Sequence, residues 1–287
     1  MQQGQRVASL SGLPTLLVMP YANPAVRELC EAGGIGYLDT TGWVRLLSDS
    51  PALFITAVGA ARDDRRKSEG DITRLNGVGA SRLVRALCLT QLPIGVRALA
   101  AVANVSPGTV SKVLPTLEAA GAVERDEAGA VTGVRARLLL ERWTQDYGFL
   151  SSNPDVGWFL SPRGLEQLQS RLADRTDVAA TASLAARRNL PSQVTSVTPL
   201  TLAALYALDP AALADELGLV PQAPASANVV LVRPSDPTVV TLSPYTGFVP
   251  TVDLPLLLAD LRSLPGRFQQ EAEQLMDVLA RTDMRWS

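Results

Sequence analysis

Histidine is absent from the 287 residues. That one gap removes Ser-His-Asp and Cys-His dyads, histidine general bases and His-ligated metal sites. Cysteine is scarce, with Cys30 and Cys88 alone, too few for a disulfide framework or a cysteine zinc site. Both sit in apolar-flanked helical patterns, Glu28-Leu29-Cys30 and Leu87-Cys88-Leu89, which fits two buried thiols in a reducing cytoplasm. No apolar run approaches the ~18 residues of a membrane-spanning helix. The opening M-Q-Q-G-Q-R-V-A-S-L lacks the basic start and apolar stretch of a signal peptide, so a cytoplasmic protein with no membrane partner is expected. Neither sign of charge dominates: 26 Lys and Arg against 28 Asp and Glu leave a formal charge of -2. A chain coated in positive charge is excluded, whereas a local basic face is not.

Apolar residues, by contrast, are plentiful at 47%, with 19% charged and a mean hydropathy of +0.14. That composition supports one or more buried cores and argues against wholesale disorder. At about 150 residues per domain the length suggests two domains, or three if some are short.

The composition shifts along the chain. Residues 1–60 read as a small α/β domain. Leu16-Leu17-Val18-Met19 is strand-like, Pro24 to Cys30 has helical spacing ended by Gly33-Gly34, and Gly36–Asp39, Trp43–Leu47 and Leu53–Thr56 look like further strands. Residues 61–80 are a charged linker with Arg62, Arg65, Arg66 and Lys67 among glycines. In 81–150, Arg82–Gln91 and Val96–Ala103 read as helices. A third starts at the cap candidate Ser106 with Pro107 at its first position and runs to about Ala120. Two short strands, Ala122–Arg125 and Val131–Val134, and a helix over Leu138–Tyr147 follow. In 151–287 the spacing predicts helices at Leu165–Ala173, Ala179–Arg188, Pro210–Leu217, Leu254–Leu261 and Glu271–Leu279. Strands are predicted at Val229–Val232, Val239–Leu242 and Gly247–Val249. Periodicity leaves Leu200–Leu208 open between strand and helix.

Three helices followed by a two-stranded hairpin is the order of a winged helix-turn-helix. Val110, Val113, Leu114 and Leu117 would form the inner face of the third helix, and Thr109, Ser111, Lys112 and Thr116 the outer one. A helix entering a major groove needs short polar or basic groups near its N-terminus, where it meets base edges and phosphates. The expected DNA contacts are therefore Ser106, Pro107, Gly108, Thr109, Ser111 and Lys112. Arg97, wing residues Arg125 and Arg135 or Arg137, and the cluster Arg65, Arg66 and Lys67 would hold phosphate. Two features oppose this reading. Residues 93–150 hold six bases (Arg97, Lys112, Arg125, Arg135, Arg137, Arg142) and six acids (Glu118, Glu124, Asp126, Glu127, Glu141, Asp146), so their net charge is zero. Pro115 lies inside the third helix and should kink or loosen it unless the bond to Ser111 can be spared.

The winged-helix stretch, the "W-x-x-D-Y" pattern at Trp143, Asp146 and Tyr147, the L-S-P-R-G-L-E stretch, and Asp260-Leu261, Pro265-Gly266-Arg267 and Glu271-Ala272 near the end resemble the AbiEi-like antitoxin and winged-helix regulator family of bacteria, actinobacterial type. The resemblance covers about residues 80–280. It implies a C-terminal α+β, nucleotidyltransferase-like domain that is regulatory rather than enzymatic. The first 60 residues are similar to small restriction-endonuclease-like domains found ahead of such winged helices. An active nuclease of that kind needs an acid on one strand and an acid-x-Lys triplet on the next. Asp39 could stand for the first, but Leu53-Phe54-Ile55-Thr56 offers neither acid nor lysine. Residues 201–287 lack Gly-Ser beside paired aspartates and carry ten acids against five bases.

The fold class expected is thus α/β plus winged helix: a small α/β N-terminal domain, a central winged helix-turn-helix and an α+β C-terminal domain. The function expected is a DNA-binding transcriptional regulator, a homodimer on double-stranded DNA, with no catalytic residues, metal or cofactor. The alternative is an antitoxin-like protein of a toxin-antitoxin or phage-defence system, acting on a protein partner through its C-terminal domain. Trp143, Trp158 and Trp286 read as core or interface anchors.

Overall fold

A computed structural model of the chain describes residues 15–19, 21–22, 24–49, 51–59, 74–173, 175–241 and 248–287. The protein is a mixed α/β chain in two compact units, Met1–Ile72 and Thr73–Ser287.

In the first unit, strand β1 (Leu16–Met19) leads into helix α1 (Pro24–Ala32) and back to β2 (Gly36–Asp39), which pairs with it in parallel. β3 (Val44–Asp49) and β4 (Ala52–Ala57) continue the sheet as an antiparallel hairpin, giving the order β1-β2-β3-β4. The core between helix and sheet is small. Ala22, Cys30, Ile35 and Tyr37 are buried, with Leu17, Met19, Val26 and Trp43 packed against them.

The second unit opens with three helices, α2 (Val78–Leu89), α3 (Val96–Val102) and α4 (Pro107–Ala119). The hairpin β5 (Val123–Arg125) and β6 (Val131–Val134) and the helix α5 (Ala136–Thr144) follow. Next come β7 (Val156–Leu160), α6 (Gly164–Leu172), β8 (Val178–Thr181), α7 (Ala182–Asn189), β9 (Ala203–Ala207), α8 (Pro210–Leu217), β10 (Val220–Pro221) and β11 (Val229–Val232). The last helices are α9 (Thr238–Thr241), α10 (Leu254–Ser263) and α11 (Phe268–Ala280), closed by a 3-10 turn at Met284–Trp286.

Five strands form one mixed sheet in the order β10-β7-β11-β9-β8. Its strands are apolar on both faces because both faces are covered. Along β9 the alternation is visible residue by residue. Ala203, Leu205 and Ala207 join a core with Leu168, Leu172, Leu213 and Leu217 of α6 and α8. Ala204 and Tyr206 face the other way, into a core shared with α10 and α11. That second core runs without a break from Leu83, Leu99 and Leu114 of the three-helix region through Trp143 to Leu258 and Leu275. A boundary near residue 150, as the composition suggests, therefore falls inside one compact unit.

Several elements differ from the sequence reading. Val239–Leu242 looks like a strand, yet Thr238–Thr241 is a helical turn. Asp236 caps it, its carboxylate accepting from Thr238 N (3.1 Å) and Thr238 Oγ1 (2.8 Å), and Pro237 fixes the entry, which overrides β-branched preference. Ala179–Arg188 looks like one helix but is split into β8 and α7 at Ala182, whose φ is +48°. Gly247 lies outside the described residues, and Phe248-Val249 belongs to no strand. The chain just beyond it touches β8 through one parallel bridge, Ala180 to Thr251. The open stretch Leu200–Leu208 resolves as β9. Helix α4 is continuous through Pro115. Pro115 and Ser111 both lie on its exposed side, where water can replace the missing bond.

Candidate nucleic-acid interface

The region 78–134 is built around one turn. Asn104 adopts φ +50°, a conformation Asn tolerates, and Val105 N donates back to Ala100 O at 3.0 Å. The chain then enters α4 at Ser106, whose Oγ accepts from Thr109 N at 3.1 Å, with Pro107 at the first helical position. Val110, Val113, Leu114 and Leu117 are buried; Ser106, Pro107, Gly108, Ser111, Lys112, Pro115 and Glu118 are exposed. The helix thus presents a polar, glycine-containing start to solvent and an apolar face to the core. Ile94 extends the hairpin by a third short pairing, with Ile94 N to Val131 O at 3.0 Å and Val131 N to Ile94 O at 2.9 Å.

Not every expected contact residue sits alike. Thr109 is half-buried, its hydroxyl 3.0 Å from Ser106 Oγ and its methyl close enough to α2 that a Cβ on Gly79 would lie 3.2 Å away. Arg97 is exposed on α3. Arg125 pairs with Glu118 of α4 at 2.5 Å, and Arg135 with Glu124 of the hairpin at 2.6 Å. Both hairpin-side cations therefore carry an adjacent carboxylate, which lowers the local potential that a phosphate would meet. Arg137 turns away from the hairpin to Glu273 (2.9 Å) and Asp277 (2.5 Å) of α11, whereas Arg135 stays beside the hairpin. Arg65, Arg66 and Lys67 lie outside the described residues.

Sequence reasoning missed Arg82 and Arg85 on α2. Arg82 donates to Asn104 O at 3.3 Å, in the turn, and grips both oxygens of Asp236 at 2.7 Å. Arg85 pairs with Asp253, the cap of α10, at 2.5 Å. Burial raises the Asp236 carboxyl, but the Arg82 guanidinium and Thr238 outweigh it and hold the pKa below the ordinary carboxylate value. An i,i+3 arginine pair was visible on α2; its partners, some 150 residues on, had no sequence signal. Arg82, Arg85, Asn104 and Asp253 line a cleft of about 200 Å³ between the turn and the start of α10.

A second joint uses the residues that carry the family resemblance. Trp143 is buried, with Nε1 donating to Leu75 O at 3.1 Å. Asp146 accepts from Leu75 N at 3.0 Å and from Arg142 at 2.8 Å. Tyr147 OH donates to Asp260 Oδ1 at 2.7 Å; Tyr206 OH lies 3.0 Å from Asp260, and Thr181 Oγ1 lies 2.6 Å from it. Asp260 is wholly buried, and loss of solvation pushes its carboxyl up to about 7 despite these three hydroxyl donors. Glu271 likewise sits buried beneath hydroxyls of Ser183, Ser196 and Thr198. Asp260 thus locks α10 to β8 and β9, whereas Glu271 ties α11 to α7 and to the loop before β9.

In the first unit, Asp39 is buried and fully engaged. It accepts from Ala22 N (2.8 Å), Thr41 N (2.8 Å), Thr41 Oγ1 (2.8 Å) and Trp43 N (3.0 Å). Burial raises its carboxyl, and those donors more than offset the rise. Its oxygens organise the turns around β2 instead of pointing to an open site. Strand β4, Ala52–Ala57, which lies beyond β3 in the sheet, holds no acid or lysine. Among the described residues no three His, Cys, Asp or Glu side chains cluster with metal-binding geometry, and no helix is long and apolar enough to cross a membrane. No family model, curated protein or solved structure matches the chain.

Proposed function

We propose that residues 78–134 are a winged helix-turn-helix and that the chain is a DNA-binding transcriptional regulator, with α4 lying in a major groove. The observation that carries this reading is the exposed run Ser106, Pro107, Gly108, Ser111 and Lys112 at the N-terminal end of a helix whose other face is fully committed to the core. Short side chains there let the backbone approach a phosphate, and the helix start offers backbone N–H groups to it. Ser111 and Lys112 are the base-edge readers; Arg97 and Arg135 hold phosphate on either side. Because the two wing arginines are paired with carboxylates, binding leans on few ionic contacts and has a shallow salt dependence. In this reading the acidic C-terminal sheet domain, in the nucleotidyltransferase-like mould, is regulatory, and the N-terminal unit is a restriction-endonuclease-like fold without its catalytic acids.

Fluorescence anisotropy on DNA from upstream of its own gene, over a salt series, tests the proposal. Lys112→Ala should weaken binding roughly tenfold and relax discrimination at the base it reads, whereas Arg97→Ala should weaken all sequences alike and flatten the salt slope by about one. Unchanged affinity and specificity in Lys112→Ala would remove α4 from the interface.

The antitoxin-like alternative draws support from the surplus of acids, ten against five bases, over residues 201–287. Since the core is shared across residue 150, its test needs the full chain. A variant with Ser111 and Lys112 both replaced by Ala that still rescues growth from a cognate toxin would favour it.

A further inference from the structure

Glu271 is a buried carboxylate without a counter-charge. It is 2% exposed, and its oxygens accept from the hydroxyls of Ser183 (2.5 Å), Ser196 (3.1 Å) and Thr198. Among the described residues no Lys or Arg pairs with it, whereas the buried Asp236 is held by Arg82 at 2.7 Å. Buried carboxylates ordinarily keep a cationic partner, because neutral donors replace water only in part. Asp260 shares this lack, but the space beside its partners Tyr147 and Tyr206 is about 30 Å³, the share of one water. Glu271 differs: two of its donors, Ser183 and Thr198, line a cavity of about 330 Å³.

The two ends of that cavity differ in charge. A hydroxyl has one proton to give. Ser183 and Thr198 spend theirs on Glu271, so they turn lone pairs to the cavity, and its buried end is an acceptor surface backed by negative charge. Pro199, Thr201, Arg267 and Phe268 complete the lining. Arg267 is exposed at the mouth and, among the described residues, pairs with no carboxylate; Arg262, five residues earlier, is taken by Glu273 at 2.8 Å. The wall is held in place without a ligand. Gln274 of α11 accepts from Val197 N at 3.1 Å and donates to Thr195 O at 2.8 Å, while Arg187 of α7 donates to Thr198 O at 2.5 Å.

We propose that this cavity binds a free amino acid. Its ammonium group donates to Ser183 Oγ and Thr198 Oγ1 and supplies the counter-charge that Glu271 lacks. Its carboxylate pairs with Arg267 at the mouth, and its side chain lies along Phe268 and Pro199. A buried negative end and a positive mouth select a molecule carrying both charges. Glu271 repels a simple anion such as phosphate, and a simple amine leaves Arg267 unpaired. The volume equals that of roughly ten waters, room for one amino acid and little more. Binding should also stabilise the folded chain, since the unfolded chain has no such site. The site lies apart from α4 and stands whether or not the chain binds DNA.

Isothermal titration calorimetry of the full chain with each free L-amino acid in turn, to about 10 mM, tests it; n-butylamine and butyrate serve as singly charged controls. At least one amino acid should bind at a single site and raise the melting temperature, and both controls should bind at least tenfold more weakly. Arg267→Gln removes the cation at the mouth, and Thr201→Trp fills the cavity; both positions are exposed. Each should weaken binding at least tenfold while the melting temperature without ligand stays within about 2 °C. Ser183→Ala should weaken binding as well, and if loss of a donor to Glu271 unfolds it, the two exposed variants decide. Three results each overturn the proposal: no amino acid bound at 10 mM, binding unchanged in either exposed variant, or a control that binds as tightly as the best amino acid.

Discussion

At the residue scale, Asp260 shows how tertiary burial gives one carboxylate a role unlike its neighbours. Its carboxyl titrates at about 7 in the folded protein against about 3.9 in an unfolded chain. The folded state therefore holds a proton that the unfolded state has released. Its stabilising contribution is complete below about pH 4, declines as pH rises, and is gone once pH passes 7. Asp260→Asn removes this titration while still accepting a hydrogen bond from Tyr147. We expect it to raise the melting temperature at pH 8 relative to wild type and to flatten the slope of stability between pH 4 and 7. A slope unchanged in the variant would mean that Asp260 is ionised throughout. The same scale explains why Asp39 is a poor metal ligand: four donors already occupy its oxygens.

At the scale of elements, α4 and the hairpin are tied by Glu118 and Arg125. Partly exposed pairs of this kind contribute about 0–1 kcal/mol to stability, so their larger effect is on the surface potential beside α4. Glu118→Gln removes one negative charge and releases Arg125 toward phosphate. DNA affinity should rise several-fold at low salt, and the gain should fade near 0.5 M as screening shortens the range of the charge. An affinity that falls instead would show that the pair positions the wing. The element order of this region was legible in the sequence because its signals are local: Ser106-Pro107 opening α4, glycine at 121 closing it, and apolar residues at helical spacing. The β8–α7 split and the helical turn at Thr238 were not legible. Ala182 takes a left-handed conformation that composition does not announce, and Asp236 is held by Arg82 from far away in sequence.

At the scale of the whole molecule, the two units differ sharply in core size. Among the described residues the first buries four apolar side chains between one helix and one sheet face; the second has an unbroken core from Leu75 to Trp286 with a further core behind its sheet. Thermal or denaturant unfolding should therefore show two transitions, the first unit melting earlier. A fragment of residues 73–287 should retain the later transition within a few degrees and keep its affinity for a single DNA site. A fragment cut at 151 should not fold, since it abandons the α2–α5 half of the shared core. One cooperative transition for the full chain would show instead that the units depend on each other.

The sequence by itself determined the chemistry left open to this chain and the local order of its central region, because absent histidines, a capped helix start and apolar periodicity act over a few residues. Tertiary structure alone decided which side chains meet. It set Arg82 against Asp236, Tyr147 against Asp260 and Arg137 against Asp277, and merged the expected second and third domains around one core. Those partners lie more than 100 residues apart. Packing brings them together through buried apolar area, which has no direction and leaves no local mark in the sequence.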